Sequence, residues 1–177
     1  LVLEILTGIF PEIDHAAKVI KPSTSSSLCR KSTGDPLPGS MNSHIFIPVQ
    51  DADDIPRFGK TLFKRLVLQG FGSVRFSKDG KILIRTIIDS FVFSPERLIF
   101  EAQPVLEGDL VQSDPEISYL AGNLLDTAKL PDLRREEQIR YEWVWRKLRS
   151  EAMPESKRIR QDYIHETSQK LSNEQNI

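Results

Sequence analysis

Apolar positions along the chain change period several times, and the changes predict its elements. Leu3, Leu6 and Phe10 recur at three and four residues, which predicts a helix over 1–10 that Pro11 stops. Residues 17–20 are short, apolar and β-branched at two positions, a strand pattern. Residues 21–43 then hold seven Ser, two Thr, three Pro and two Gly, and predict a long polar loop. Residues 44–49 read as a buried strand with Pro48 near its end. Asp51, Asp53 and Asp54 suit the start of a helix from Pro56, supported by Phe58, Leu62 and Leu66 and ending at Gly70. Ser73–Phe76 and 81–88, joined through Asp79-Gly80, predict a β-hairpin. A short strand is expected over 98–100. Helices are expected over 117–128, 133–153 and 155–171, with Pro131 and Pro154 separating them. The order predicts an α+β fold followed by a C-terminal helical arm.

Composition narrows this little. The 177 residues suffice for one globular domain with an appendage, and no apolar run approaches the roughly 18 residues a membrane span needs. The single Cys29 excludes a disulfide framework or a cysteine-rich zinc site. With no basic, apolar leader pattern at the start, the expected compartment is the cytoplasm.

Charge changes the picture more. The net charge of −1 conceals segregation, because residues 134–160 carry nine basic and five acidic side chains. The same stretch contains Tyr141, Trp143 and Trp145, so Arg140, Trp143, Trp145, Arg146, Lys147 and Arg149 are candidates for holding a nucleic acid strand. The plainer reading is a solvated helix with its aromatic residues packed on the body. Leu133, Val144 and Leu148 with Tyr141 and Trp145 also offer a seam for a partner helix.

Three features could carry chemistry. Ser25, Ser26 and Ser27 lie in a hydroxyl-rich loop able to meet phosphate oxygens. Asn42-Ser43-His44 opens an apolar strand, where a histidine can donate to phosphate, move a proton or bind metal, or serve structure alone. Asp89 follows Ile87-Ile88, a position suited to a metal ligand or to an ordinary turn cap.

In order, Lys21-Pro22-Ser23-Thr24-Ser25-Ser26-Ser27, Thr33-Gly34, Ser43-His44-Ile45-Phe46-Ile47, Asp54-Ile55-Pro56-Arg57-Phe58, Leu66-Val67-Leu68-Gln69-Gly70, Arg85-Thr86-Ile87-Ile88-Asp89 and the stretch from Ser94 to Ala102 form a recognisable series. It resembles the primase-polymerases of the archaeo-eukaryotic primase superfamily, and is similar in particular to primase-like proteins of phages, plasmids and integrated elements. The resemblance covers residues 1–112, with 113–177 as the arm. It implies an RRM-like mixed sheet, template-directed nucleotidyl transfer on single-stranded DNA from nucleoside triphosphates, Mg²⁺ or Mn²⁺, and a helicase or another replication protein as a partner. It further implies that His44 contacts the incoming nucleotide's phosphates, with Ser43 beside it. Asp89 would be a catalytic and metal-holding carboxylate, and Arg85 and Arg97 phosphate neighbours. One departure stands out. The family's first motif is an acidic-x-acidic pair on an earlier strand, whereas only Glu4, Glu12 and Asp14 precede Lys21, and Asp51-Ala52-Asp53 follows the histidine strand. The pair is expected upstream of Leu1, and residues 1–177 alone are expected to polymerise poorly or not at all. The alternatives are a non-catalytic nucleic-acid-binding module and a helical assembly module.

Overall fold

The computed structural model describes residues 1–39, 42–94, 96, 104–113 and 116–174, without the side chains of 173 and 174. The class is α+β, with small antiparallel sheets and, among the described residues, four α-helices, the last of them long. The chain divides into two compact units, Leu1–Ile55 with Ser94–Lys129 and Pro56–Phe93 with Leu130–Ile177. The strand expected over 98–100 lies outside the described residues. Among the described residues no helix is long and apolar enough to cross a membrane.

In the first unit, α1 (Val2–Ile9) ends where expected, and a single turn, α2 (Glu12–His15), follows Pro11. Leu6, Phe10, Ile13 and Ala16 are buried together with Leu125. Next comes β1 (Lys18–Pro22), the middle strand between β3 (Ser43–Phe46) and β7 (Ser118–Leu120), antiparallel to both. Lys18 is buried, and its ammonium donates to the Asp14 carbonyl at 2.9 Å.

Two expectations fail here. The 21–43 loop contains a strand, β2 (Leu28–Arg30), which pairs with β6 (Leu110–Gln112). Three residues are too few to show a period, and their partner lies far along the chain. A staple fixes the pairing, since the Asp109 carboxylate accepts the Ser32 hydroxyl at 2.6 Å and the Ser32 N–H at 2.9 Å. These Ser32 hydrogen bonds hold the Asp109 carboxyl below its ordinary value.

The helix expected over 117–128 is also absent. The segment instead supplies β7, then runs extended through bridges from Asn123 to Ala16 and from Leu125 to Val49, and ends in a 3₁₀ turn, Thr127–Lys129. Leu120, Leu124 and Leu125 imitate helical spacing, but they do not share a buried face: Leu125 is 2% exposed, Leu124 55% and Leu120 45%. Gly122-Asn123 in the middle of the segment weakens a helix there, and pairing with β1 supplies backbone partners in its place.

The second unit follows the sequence more closely. α3 (Ile55–Leu66) buries Phe58, Leu62 and Leu66 as its period requires, and continues through a wider π-helical turn, Val67–Phe71, where Gly70 takes a φ of 87°. The hairpin is β4 (Ser73–Phe76) and β5 (Ile82–Arg85), with Asp79-Gly80 in its turn. β5 ends at Arg85 and does not reach Ile88, because the Thr86 hydroxyl donates to the Ile88 carbonyl at 3.1 Å and accepts its N–H. That local turn competes with the ladder.

α4 is one helix, Arg135–Glu174, where two were expected. Its start is well specified. The Glu137 carboxylate accepts the Arg134 N–H at 2.8 Å, half of a capping box. Just ahead of it, Asp132 accepts from the Thr61 hydroxyl at 2.7 Å and from Arg57 at 3.1 Å, and both hold its carboxyl below the ordinary value, the Thr61 bond most. Pro154 stands inside the helix. It cannot donate to the Ser150 carbonyl, at a cost of about 3 kcal/mol. The helix continues because it is held on both sides of that defect. Before it, Leu148 lies beside Gly72 and Ala152 is buried; beyond it, the Ser156 hydroxyl donates to the Gly80 carbonyl at 2.6 Å. Trp145 and Leu148 of the expected partner seam thus pack within this unit. Pro154→Ala should raise the unfolding free energy in urea by about 1–3 kcal/mol by restoring the missing bond. A loss of stability would mean that the proline bend is what fits α4 to the hairpin.

Candidate nucleic-acid interface

The sequence-predicted residues fall into three groups. In the first unit, β1 and β3 pair with Lys21 opposite His44 and Pro22 opposite Ser43. Directly opposed side chains of an antiparallel pair share a face, with Cβ atoms about 5 Å apart. Lys21 and His44 are therefore neighbours, and the ladder continues beyond them with the Ser23 N–H donating to the Asn42 carbonyl at 2.9 Å. The His44 ring also stands edge-on to Phe46, centroids 6.0 Å apart.

The serines follow in a tied turn. Ser26 is 2% exposed, its hydroxyl donating to the Ser23 carbonyl at 2.7 Å, and Ser27 has a φ of 56°. Gln112 locks the turn from β6: its amide donates to the Thr24 carbonyl at 3.0 Å and the Ser26 carbonyl at 2.8 Å. The Ser113 hydroxyl and N–H both reach the Ser27 carbonyl. The loop is therefore built from outside itself. Ser26 is spent on its structure, whereas Ser25 and Ser43 are exposed at the end of the sheet that carries Lys21 and His44. Gln112 and Ser113 were invisible as site residues, since nothing in their own neighbourhood marks them.

Asp89 and Arg85 belong to the second unit. The Asp89 carboxylate accepts the Phe91 N–H at 3.1 Å and lies 3.7 Å from Arg85, whose guanidinium covers the Phe91 ring at 5.4 Å. Its visible work is to cap the 3₁₀ turn Ser90–Phe93. Among the described residues no three His, Cys, Asp or Glu side chains are placed to hold a metal ion. They do not fit a two-ion centre, which needs several hard oxygen ligands in one place. Arg97 lies outside the described residues.

On α4 the two tryptophans part company. Trp145 is half-buried between Phe63, centroid at 6.4 Å, and Tyr141 at 5.8 Å. Burial pushes the Tyr141 hydroxyl above its ordinary value. Trp143 is 62% exposed, with the Lys147 ammonium 5.4 Å from its ring centre. Arg140 and Arg149 are exposed, while Arg146 pairs with Glu142 at 3.5 Å and Lys147 with Glu151 at 3.9 Å. These are i,i+4 surface pairs of small energetic weight, which a phosphate could displace.

The first unit also has a cleft lined by His15, Gln50, Asn123, Asp126 and the Glu12–Lys129 pair, closed to 3.3 Å. It contains none of the residues singled out by the sequence. Compared with protein-family models, with curated proteins and with solved structures, the chain gives no match in any of the three.

Proposed function

We propose that this chain handles nucleotide phosphates and a single-stranded DNA template as part of a primase-polymerase-like protein, in the cytoplasmic replication of a mobile element. The observation that carries the reading is the β1–β3 register, which sets Lys21 beside His44 with Ser43 and Ser25 at the same end. The Lys21 ammonium and the His44 imidazole N–H, neighbours on one face, are donors suited to the oxygens of a nucleoside triphosphate, with the Ser25 hydroxyl beyond the strand end and Ser43 turned to the opposite face. Mg²⁺ or Mn²⁺ belongs with such a substrate, and a helicase or another replication protein is the partner class that goes with it. The described carboxylates do not converge on two ions, so no transfer step is assigned to them. On this reading the 177-residue chain binds and does not polymerise.

A second reading, a non-catalytic binding module working through the arm, is favoured by the exposed Trp143 beneath Lys147. Titrating the chain with a fluorescent nucleoside triphosphate separates the two. His44→Ala and Lys21→Ala should each weaken triphosphate binding about tenfold or more, the weight of one charge-assisted hydrogen bond of roughly 1.5–3 kcal/mol. Unchanged triphosphate affinity in both, with oligonucleotide binding abolished by Trp143→Ala, would transfer the function to the arm.

A further inference from the structure

The register of the three-stranded sheet has a consequence beyond Lys21 and His44. Val19 of β1 stands opposite Phe46 of β3 on one side and opposite Tyr119 of β7 on the other. Directly opposed residues share a face and residues two apart along a strand return to it, so Tyr119, Val19, Phe46, Lys21 and His44 all stand on one face of the sheet. Alternation sends Lys18, Ile20 and Ile45 to the other face, where Lys18 is only 7% exposed. Both faces are partly open, the second at Leu120, 45% exposed, but only the first carries aromatic rings: Tyr119 is 75% exposed and Phe46 38%.

We infer that this face is a base-stacking platform for a single nucleic acid strand, with Tyr119 and Phe46 as its two stacking residues. The inference rests on the strand-handling function proposed above and names the part of the chain that would receive the bases. Two rings on the outer strands, separated by the compact Val19, lie about 10 Å apart, twice the spacing between neighbouring strands. That arrangement offers separate stacking surfaces to two bases of a strand crossing the sheet. Stacking needs only a π-face and tolerates any base. Two hydrogen-bond donors complete the recognition. Lys21 and His44 adjoin Phe46 on the same face, where a phosphate joined to a stacked nucleotide can be met, and no acidic residue occurs in β1, β3 or β7. An acid-free face carrying exposed aromatic rings beside a lysine suits a polyanion with flat bases. A protein partner held by apolar contact alone would have no use for the lysine.

The test uses the full chain and labelled oligothymidylate, with oligouridylate as a second arm to separate DNA from RNA. Tyr119→Ala and Phe46→Ala should each weaken binding about 5- to 150-fold, the equivalent of roughly 1–3 kcal/mol of stacking per base. Tyr119→Phe should retain it, because the ring and not the hydroxyl does the stacking. The dependence on salt should keep its slope in all three, since no phosphate contact is removed. Triphosphate affinity should be unchanged in Tyr119→Ala, so the platform and the phosphate corner are judged separately. Loss of the His44 effect on triphosphate with the Tyr119 effect intact would leave the platform standing. Oligonucleotide affinity equal to the parent in Tyr119→Ala, an equal loss in Tyr119→Phe, or no oligonucleotide binding by the chain would overturn it.

Discussion

Gly80→Val should cost the second unit about 3 kcal/mol or more of stability, read as a drop in the urea midpoint with little change in slope. Two independent causes add up. Gly80 has a φ of 78°, a conformation that side-chain-bearing residues rarely adopt. Any Cβ there would also lie 2.5 Å from the Ser156 carbonyl oxygen and 2.9 Å from the Arg160 nitrogen, both backbone atoms of α4. The hairpin turn and the helix can touch only because the turn has no side chain, and the Ser156 hydroxyl bond to the Gly80 carbonyl forms at that contact. Gly70→Val is the internal control. Gly70 has a φ of 87° in the same unit, but a Cβ there meets nothing within 4 Å. It should show the conformational cost alone, about 1–2 kcal/mol. Equal losses in the two variants would mean that α4 moves aside freely and that the contact does not hold it.

Gly122→Val should be comparably severe in the first unit, through sterics alone. Its Cβ would fall 2.5 Å from the Ala16 carbonyl carbon, the Ala17 nitrogen and the His15 carbonyl oxygen. None of these can rotate away as a side chain could. The same crossing carries two backbone bonds, from the Ala17 N–H to the Asn123 carbonyl at 2.9 Å and from the Asn123 N–H to the His15 carbonyl at 3.0 Å. Forcing the strands apart there breaks both and frees β7 from the edge of β1. The expected result is a loss of about 3 kcal/mol or more, with amide hydrogen exchange in β7 accelerated ahead of the helices. Exchange in β7 matching the parent would show that the crossing relaxes without cost. Because β7 carries Tyr119, this glycine sets where one of the two proposed stacking rings stands.

The features legible in the sequence were those that announce themselves locally. Phe58, Leu62 and Leu66 recur at helical spacing, and α3 buries all three. Asp79-Gly80 between two β-rich runs could hardly be anything but a hairpin turn. The apolar run over 44–49 predicts a buried strand, and the structure has a shorter one with no buried residue, β3 (Ser43–Phe46), which still places His44 on a sheet. Where sequence failed, the deciding partner was distant. β2 exists because of β6, and the serine turn has its shape because Gln112 donates into it. Asp89 is where the pattern put it, near the end of an apolar run, yet its carboxylate is engaged by Phe91 and Arg85.

The sequence by itself therefore determined the α+β class, the helices and strands with a clear period, and the residue types available to meet phosphate. Only the tertiary structure decided which of them meet. It drew Ser118–Leu120 into a strand and left no helix in the 117–128 segment, because β1 offered backbone partners across from it. It carried α4 through Pro154, because packing on the hairpin outweighs one missing hydrogen bond. It also put Tyr119 and Phe46 on the face of Lys21 and His44, since strand register depends on pairing between distant residues and a local pattern does not encode it.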